Sequence, residues 1–406
     1  MVIVFLSKFF RMCLLKDQKF ENERVIVRVD FNVPLNKEFQ VTDITRIIAA
    51  KPTIEYILSQ GGSCVLLSHL GRPEGRDPKL SLKHIVNEVS RALEAPVQFC
   101  DQTVGPEAES RALALEAGHV LLMENLRYAK EETYGDEAFA EQLALLGTVY
   151  VNDAFGTVHR AHSSTTIIAK FFPKKKCFGL LLAKEVNAIN KVMKDGESPI
   201  VAILGGAKVS SKITIIESLL EKVDHLIIGG GMVYTFTKAL GGSVGNSICE
   251  PDLCEIALNL LAKAKAIGVE IHLPFDVIAG DDFSNDSNQK VFEANNIPDG
   301  WEGMDAGPQS CEKFHKLIIN CKTILWNGPL GVFEFSNFAK GTISIGESIG
   351  EATKSGAYSL VGGGDSVAAV KQLGIAPKMS YISTGGGAML ESLEGKKLPG
   401  ISALTN

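Results

Sequence analysis

Short apolar runs punctuate the chain, and most of them stop at a cluster of polar residues or glycines. Val25 to Val29, Cys64 to Ser68, Val120 to Met123 and Val149 to Val151 are such runs in the first half. Ile200 to Leu204, His225 to Ile228, Ile271 to Leu273, Thr323 to Trp326, Tyr358 to Val361 and Tyr381 to Ser383 follow in the second. Their length and β-branched content predict strands, and uninterrupted runs such as Ile200 to Leu204 predict strands covered on both faces. Between Leu180 and Met193, Leu181, Val186, Ile189 and Val192 recur at helical spacing with neither Gly nor Pro, which predicts a helix. Strands alternating with helical stretches imply βαβ units. The expected fold is α/β: two doubly wound parallel-sheet (Rossmann-like) domains separated by a cleft. Lys174 to Lys176, after Pro173, is expected to be a solvated turn.

What stands at the strand ends differs between the halves. Asp30-Phe31-Asn32 follows the first strand, and Arg46 lies on a helix for which Asp43 is a candidate cap. His69-Leu70-Gly71-Arg72 follows the second strand, Glu124-Asn125-Leu126-Arg127 a later one, and Asn152 to Arg160 the next. A single arginine in such a place is an ordinary surface ion pair. Four at one end of a sheet repel one another unless an anion sits among them. His159 and His162 lack a further ligand for a metal, so hydrogen-bonding roles are expected. In the second half the strand ends carry Gly205-Gly206, Gly229 to Gly231, Asn327-Gly328-Pro329, Gly362 to Gly364 before Asp365-Ser366, and Gly385 to Gly387. All ten arginines lie at or before Arg160, while 28 of the 39 glycines lie after residue 200. Arginine forks suit carboxylate and phosphate, and glycine turns suit close backbone contact with phosphate. Two half-sites of different chemistry are the expectation.

The stretch Ile200 to Lys212, IVAILGGAKVSSK, carries the clearest phosphate signal. A strand runs into a Gly-Gly turn; a helix starting near Ala207 would present free N–H groups to an anion and put Lys208 and Lys212 on one face. It is not a common fingerprint. G-x-G-x-x-G fails because Tyr234, Val367 and Leu390 stand where a third glycine is needed, and G-x-x-x-x-G-K-[ST] is absent. The carboxylates Asp365 and Glu334 would suit Mg2+ carried with a nucleotide, although Asp365 equally fits a helix cap.

A chain of 406 residues exceeds what one core usually supports, so two domains are expected. The net charge of −6 argues against wholesale nucleic-acid binding. Eight cysteines without a C-x-x-C pair read as buried reduced thiols of a cytosolic protein. The apolar start, broken by Lys8 and Arg11, is too short for a membrane span and lacks an export cleavage site; Met12 offers an alternative start, with the first eleven residues an extension.

VRVDFNVP, DITR, SHLGRP, ENLR, NDAFGTVHRAHSS, LGGAKVSSK, IIGGGM, WNGPLGVFE, GGGDS and STGGGA occur in order from Val25 to the C-terminus. In this ordered set the chain closely resembles phosphoglycerate kinase. The resemblance implies a cytoplasmic, monomeric enzyme transferring phosphate reversibly between ATP and 3-phosphoglycerate, with 1,3-bisphosphoglycerate and ADP as the other pair. It involves neither nucleic acid nor membrane. It implies an N-terminal, substrate-binding domain of residues 1–183 plus 395–406, a hinge at 184–196 and a nucleotide domain at 197–394. The acidic substrate would be held through Asp30, Phe31, Asn32, Arg46, His69, Leu70, Gly71, Arg72, Arg127 and Arg160. The Mg2+-nucleotide would be held through Gly206, Ala207, Lys208, Lys212, Gly230, Asn327, Glu334, Gly363, Gly364, Asp365 and Ser366, with Asp365 on the metal. Arg46, Lys208 and the helix start at Gly364 would act on the transferring phosphoryl group as the domains close. Ser366 stands where threonine is common, and serine keeps the hydroxyl. An NAD-type oxidoreductase and a noncatalytic anion-binding scaffold are the alternatives.

Overall fold

The computed structural model describes residues 13–405. The readings of the first eleven residues and of Met12 lie outside the described residues. The chain divides into two compact units, one of the residues up to Val186 with those from Lys397 onward, the other Asn187–Lys396.

The first unit is built on β1 (Arg24–Arg28), β2 (Ser63–Leu67), β3 (Val97–Cys100), β4 (Val120–Met123), β5 (Val149–Asn152) and β6 (Lys176–Phe178). They form one six-stranded sheet in the order β3-β4-β2-β1-β5-β6, parallel throughout. Val25, Val27, Leu66, Leu122 and Val151 pack on one side with Ile47, Ile54 and Ile57 of the helix Thr45–Ser59. That helix starts where Asp43 accepts a 2.8 Å bond from the Thr45 N–H. Two edge strands were not legible. β3 is only partly buried and carries no continuous apolar run. β6 includes Lys176, which shortens the solvated turn expected at Lys174 to Lys176: Lys174 and Lys175 are exposed in a bend, but Lys176 pairs with Tyr150, and Cys177 and Phe178 are fully buried.

The second unit contains β7 (Ile200–Leu204), β8 (His225–Ile228), β9 (Ser243–Val244), β10 (Glu270–His272), β11 (Asp276–Gly280), β12 (Gln289–Glu293), β13 (Asn296–Ile297), β14 (Glu302–Ala306), β15 (Thr323–Asn327), β16 (Tyr358–Val361) and β17 (Tyr381–Ile382). Its main sheet is again six-stranded and parallel, in the order β10-β8-β7-β15-β16-β17. Val201, Ile203, Ile227, Ile324 and Trp326 pack with Ile345 and Ile349 of the helix Lys340–Lys354. An antiparallel ladder β12-β11-β14 was not expected. Asp276, shortly after the run Ile271 to Leu273, opens β11, and its carboxylate accepts the Ser310 N–H at 2.7 Å at the start of helix Pro308–Ile318. Leu180–Met193 is one α-helix, as its spacing predicts.

In each main sheet one central strand is flanked by its successor and by a strand reached later. β1 has β2 and β5 beside it; β7 has β8 and β15. Such switch points, at the carboxyl ends of parallel strands, are where open α/β sheets bind ligands.

Candidate active site

At the carboxyl end of the first sheet the loops are stitched together by side chains. The Arg46 guanidinium meets Asp30 at 2.9 Å and donates to the Asn32 carbonyl at 3.1 Å. Asn32 Oδ1 accepts the Gly71 N–H at 2.8 Å, and the Gly71 carbonyl accepts from Arg127 Nη1 at 2.7 Å. Asn125, fully buried, joins the β2 and β4 loops by donating to the Leu70 and Leu80 carbonyls and accepting the Arg127 N–H. Phe31 and Leu70 put their side chains into the core. Arg72, Arg127, Arg160, Lys130 and His162 line a cavity of about 660 Å³ with Pro73, Glu74, Thr133 and Tyr134.

This basin is strongly cationic, and its neighbours respond. Burial, with Arg28 and then Arg72 alongside, pushes Arg127 down to about 10. Burial and the charges of Arg127, Arg28 and Arg160 push His162 down to about 4. His69 is lowered too, by burial and then by Arg28, Arg127 and Arg46. Its Nδ1 lies 3.3 Å from Arg28 Nη2. Arginine can only donate, so Nδ1 carries a lone pair and the ring is neutral. Both histidines are therefore neutral at pH 7. Of the two expected to hydrogen-bond, His159 accepts from Arg160 Nε at 3.0 Å, whereas the buried His162 Nδ1 has no hydrogen-bond partner. His162 lies 3.8 Å from Glu132, too far for a hydrogen bond, so burial outweighs that carboxylate.

Beneath the basin lies a network that the sequence reading missed. Arg28, fully buried, donates from Nε to Ser164 Oγ at 2.8 Å, and Ser164 Oγ donates to the buried Glu132 at 2.6 Å. The available signal was an arginine inside an otherwise apolar strand.

In the second unit the site is made of backbone. A Cβ at Gly205 would lie 1.9 Å from the Pro329 carbonyl oxygen, and one at Gly328 would lie 2.2 Å from that of Gly205. Only glycines let the β7 and β15 loops approach this closely. Gly230, at φ 68°, packs on Gly206, where a Cβ would stand 2.7 Å from its backbone N and O. Gly363, at φ 93°, caps the helix Gly364–Gln372, whose first turn carries the exposed carboxylate of Asp365. The buried hydroxyl of Ser366 accepts the Gly328 N–H, and Asn327 donates to the Gly362 carbonyl at 2.7 Å. The strand ends of β7, β15 and β16 are thus locked together. Glu334 is exposed, next to Phe333, which packs on Ala369 of the Gly364–Gln372 helix.

The helix expected near Ala207 starts later. Gly205 to Lys208 is loop, Val209–Ser211 is a 3-10 turn, and the α-helix begins at Ile213. Lys208 and Lys212 consequently do not share a helical face. Lys208, exposed, precedes the 3-10 turn, while Lys212 is drawn inward to Asn327 Oδ1. Burial lowers the Lys212 pKa, opposed by Asp365 and Glu394.

A model of the phosphoglycerate kinase family matches residues 15–396. The chain belongs to the phosphoglycerate kinase family. It is 51% identical over 409 residues to phosphoglycerate kinase of Porphyromonas gingivalis, covering 95% of this chain and 98% of the relative. It is 50% identical to the cytosolic phosphoglycerate kinase of Nicotiana tabacum, covering 96% and 97%. The structure of phosphoglycerate kinase from Coxiella burnetii matches at TM-score 0.90 and 38% identity, over 97% of this chain and 99% of that one. As a phosphoglycerate kinase family member, the chain is a kinase that transfers a phosphoryl group reversibly between ATP and 3-phosphoglycerate in glycolysis. The oxidoreductase and scaffold alternatives fall away. Among the described residues no helix is long and apolar enough to cross a membrane.

Proposed function

We propose that the arginine basin binds 3-phosphoglycerate or 1,3-bisphosphoglycerate and that the glycine loops bind ADP or ATP. The observation that supports this most is the 660 Å³ cavity, where three arginines and a lysine converge while its histidine stays neutral. Arg72, Arg127 and Arg160 neutralise the substrate's anionic groups, with Asp30, Asn32, His69 and Gly71 fixing the loops that carry them. Phe31 and Leu70 contribute through backbone. On the nucleotide side, Gly206, Ala207 and Gly230 leave room for phosphate to reach backbone N–H groups, and Gly363, Gly364 and Ser366 do so at a helix start. Lys208, Lys212 and Asn327 add charge and hydrogen bonds, and Glu334 offers an exposed carboxylate next to Phe333.

Asp365 fits Mg2+: it is an exposed oxygen donor beside a backbone phosphate cradle, and Mg2+ is commonly held by one or two carboxylates plus substrate phosphates. Bound there with the nucleotide, it would supply charge neutralisation at the phosphates.

No general base is needed, because the attacking group is already an anion: the ADP β-phosphate in one direction, the substrate carboxylate in the other. Catalysis must then come from alignment and charge. Arg46 and Lys208 are the residues we assign to the transferring phosphoryl oxygens, together with the N–H groups at Gly364. One close opposite charge is worth ~4 kcal/mol at an effective dielectric of ~20. Transfer requires water to be excluded, and we assign that to closure of the two domains about residues 184–196. We further propose a monomer and a cytoplasmic location, the second supported by the cytosolic tobacco relative.

The test is a coupled assay of ATP formation from ADP and 1,3-bisphosphoglycerate, run beside separate binding titrations of ADP and 3-phosphoglycerate. Arg127→Ala and Arg160→Ala should weaken 3-phosphoglycerate binding and leave ADP binding alone. Equal loss of both would overturn the division of labour.

A further inference from the structure

At the amino end of β8, away from the loop Gly229 to Gly231, three side chains meet that the phosphoryl-transfer reaction does not use. His225 on β8 and Glu270 on β10 are register partners, so their side chains share a face of the sheet. His272 lies two residues beyond Glu270 on the same strand, so it projects to that face as well. His225 Nδ1 and Glu270 Oε2 are 3.4 Å apart, His272 Nε2 and Glu270 Oε2 3.6 Å, and the two ring nitrogens 3.2 Å.

Hydrogen bonds hold these three atoms poorly. Both His–Glu separations are long for hydrogen bonds, and of the two ring nitrogens facing each other at 3.2 Å at most one can donate to the other. A cation at the centre would use all three lone pairs at once.

The triangle also has the right size. For ligand bonds of about 2.0–2.1 Å, the edge of a tetrahedron is about 3.3–3.4 Å. The three observed edges, 3.2, 3.4 and 3.6 Å, bracket that value. Two imidazoles and a carboxylate suit Zn2+ rather than Mg2+, which prefers oxygen ligands and octahedral geometry. Glu270 is 68% exposed, so the fourth position opens to water. From His225, His272 and Glu270 we propose a Zn2+ site that ties the edge strand β10 to β8, distinct from the catalytic metal.

The consequence is mechanical. β10 has three residues and one sheet neighbour, so a cross-strand ion would pin a short edge strand. The experiment is titration of the full chain, without nucleotide, with Zn2+ by calorimetry and with Co2+ by visible absorption, in wild type and in His225→Gln/His272→Gln. The expected result is one wild-type equivalent whose Co2+ spectrum shows the intense visible bands of a tetrahedral site without a thiolate charge-transfer band. The double variant should bind at least about 100-fold more weakly. Zn2+ should raise the thermal midpoint of the wild type and not that of the variant, while turnover of the two is equal. Unchanged affinity in the double variant, a thiolate band, or no saturable binding to wild type overturns the proposal. Should the double variant fail to fold by circular dichroism, Glu270→Gln at its exposed position supplies the same comparison.

Discussion

In the first unit, the loops after β1, β2 and β4 and the helix Thr45–Ser59 are linked by side chains: Arg46 to Asp30, Asn32 to Gly71, Arg127 to Gly71, Asn125 to Leu70. In the second, the ends of β7, β8 and β15 carry glycines whose backbones touch. The sheets have the same number of parallel strands and the same kind of switch point. On the proposed assignment, the difference lies in the ligand each half would hold. A small, highly charged acid needs many convergent cations, which only long side chains supply. A nucleotide's phosphates can be held by backbone N–H groups, provided no Cβ intervenes. One site should therefore fail gradually as side chains are removed, and the other abruptly as a methyl is added.

The most severe break is expected in the backbone site. Gly205→Ala puts a Cβ 1.9 Å from the Pro329 carbonyl oxygen, a backbone atom that cannot swing aside. The β7 and β15 loops must separate, and urea unfolding should show a loss of about 4 kcal/mol together with loss of ADP binding. The companion variant is Gly364→Ala, whose Cβ meets nothing within 4 Å. It should leave unfolding unchanged within about 0.5 kcal/mol and still weaken ADP binding. Unimpaired ADP binding in Gly364→Ala would break the claim that phosphate approaches that backbone.

Next in size is Arg46→Ala. Removing the charge proposed to act on the transferring phosphoryl group should lower kcat roughly 100- to 1,000-fold and leave the ADP dissociation constant nearly intact. A parallel loss of ADP affinity would show that Arg46 is not confined to the acidic substrate's side. Smaller again is Ser164→Ala, which strips the hydroxyl between Arg28 and Glu132 and leaves a buried donor and acceptor unmatched. Unfolding should become easier by about 1–3 kcal/mol, with ADP binding unaffected.

These variants also mark what the sequence could and could not disclose. Most strands of both main sheets were legible, because β4 and β7 are apolar from end to end, β8 and β16 carry one polar residue each, and all are bounded by glycine or polar turns. β3, β6 and the antiparallel ladder were not, because β3 is only partly buried, β6 is three residues long and opens on a lysine, and β12 is largely exposed. Residues at strand ends announced themselves by position. Arg28, Ser164 and Glu132 did not, since their role depends on a contact spanning 136 residues. The helix start was misplaced because a Gly-Gly turn resembles the entry to a helix. The Gly205–Gly328 contact instead demands a longer loop before Ile213.

The least disruptive probe is pH, because it tests the basin without altering its shape. His162 is held down to about 4 by burial and by Arg127, Arg28 and Arg160, against about 6.5 when unfolded. Between those values the unfolded chain binds the proton and the folded chain does not. Stability therefore rises with pH across this window and is lost as pH falls through it. Allowing for partial solvent screening, His162 should contribute about 1–2 kcal/mol of that slope. His162→Gln should flatten it, as measured by unfolding at pH 6.5 and 4.5. Saturating 3-phosphoglycerate should flatten it as well, because an anion among the arginines offsets the charges that keep the ring neutral. ADP should have no such effect. A slope that responds equally to both ligands would mean that the basin is not the acidic substrate's site.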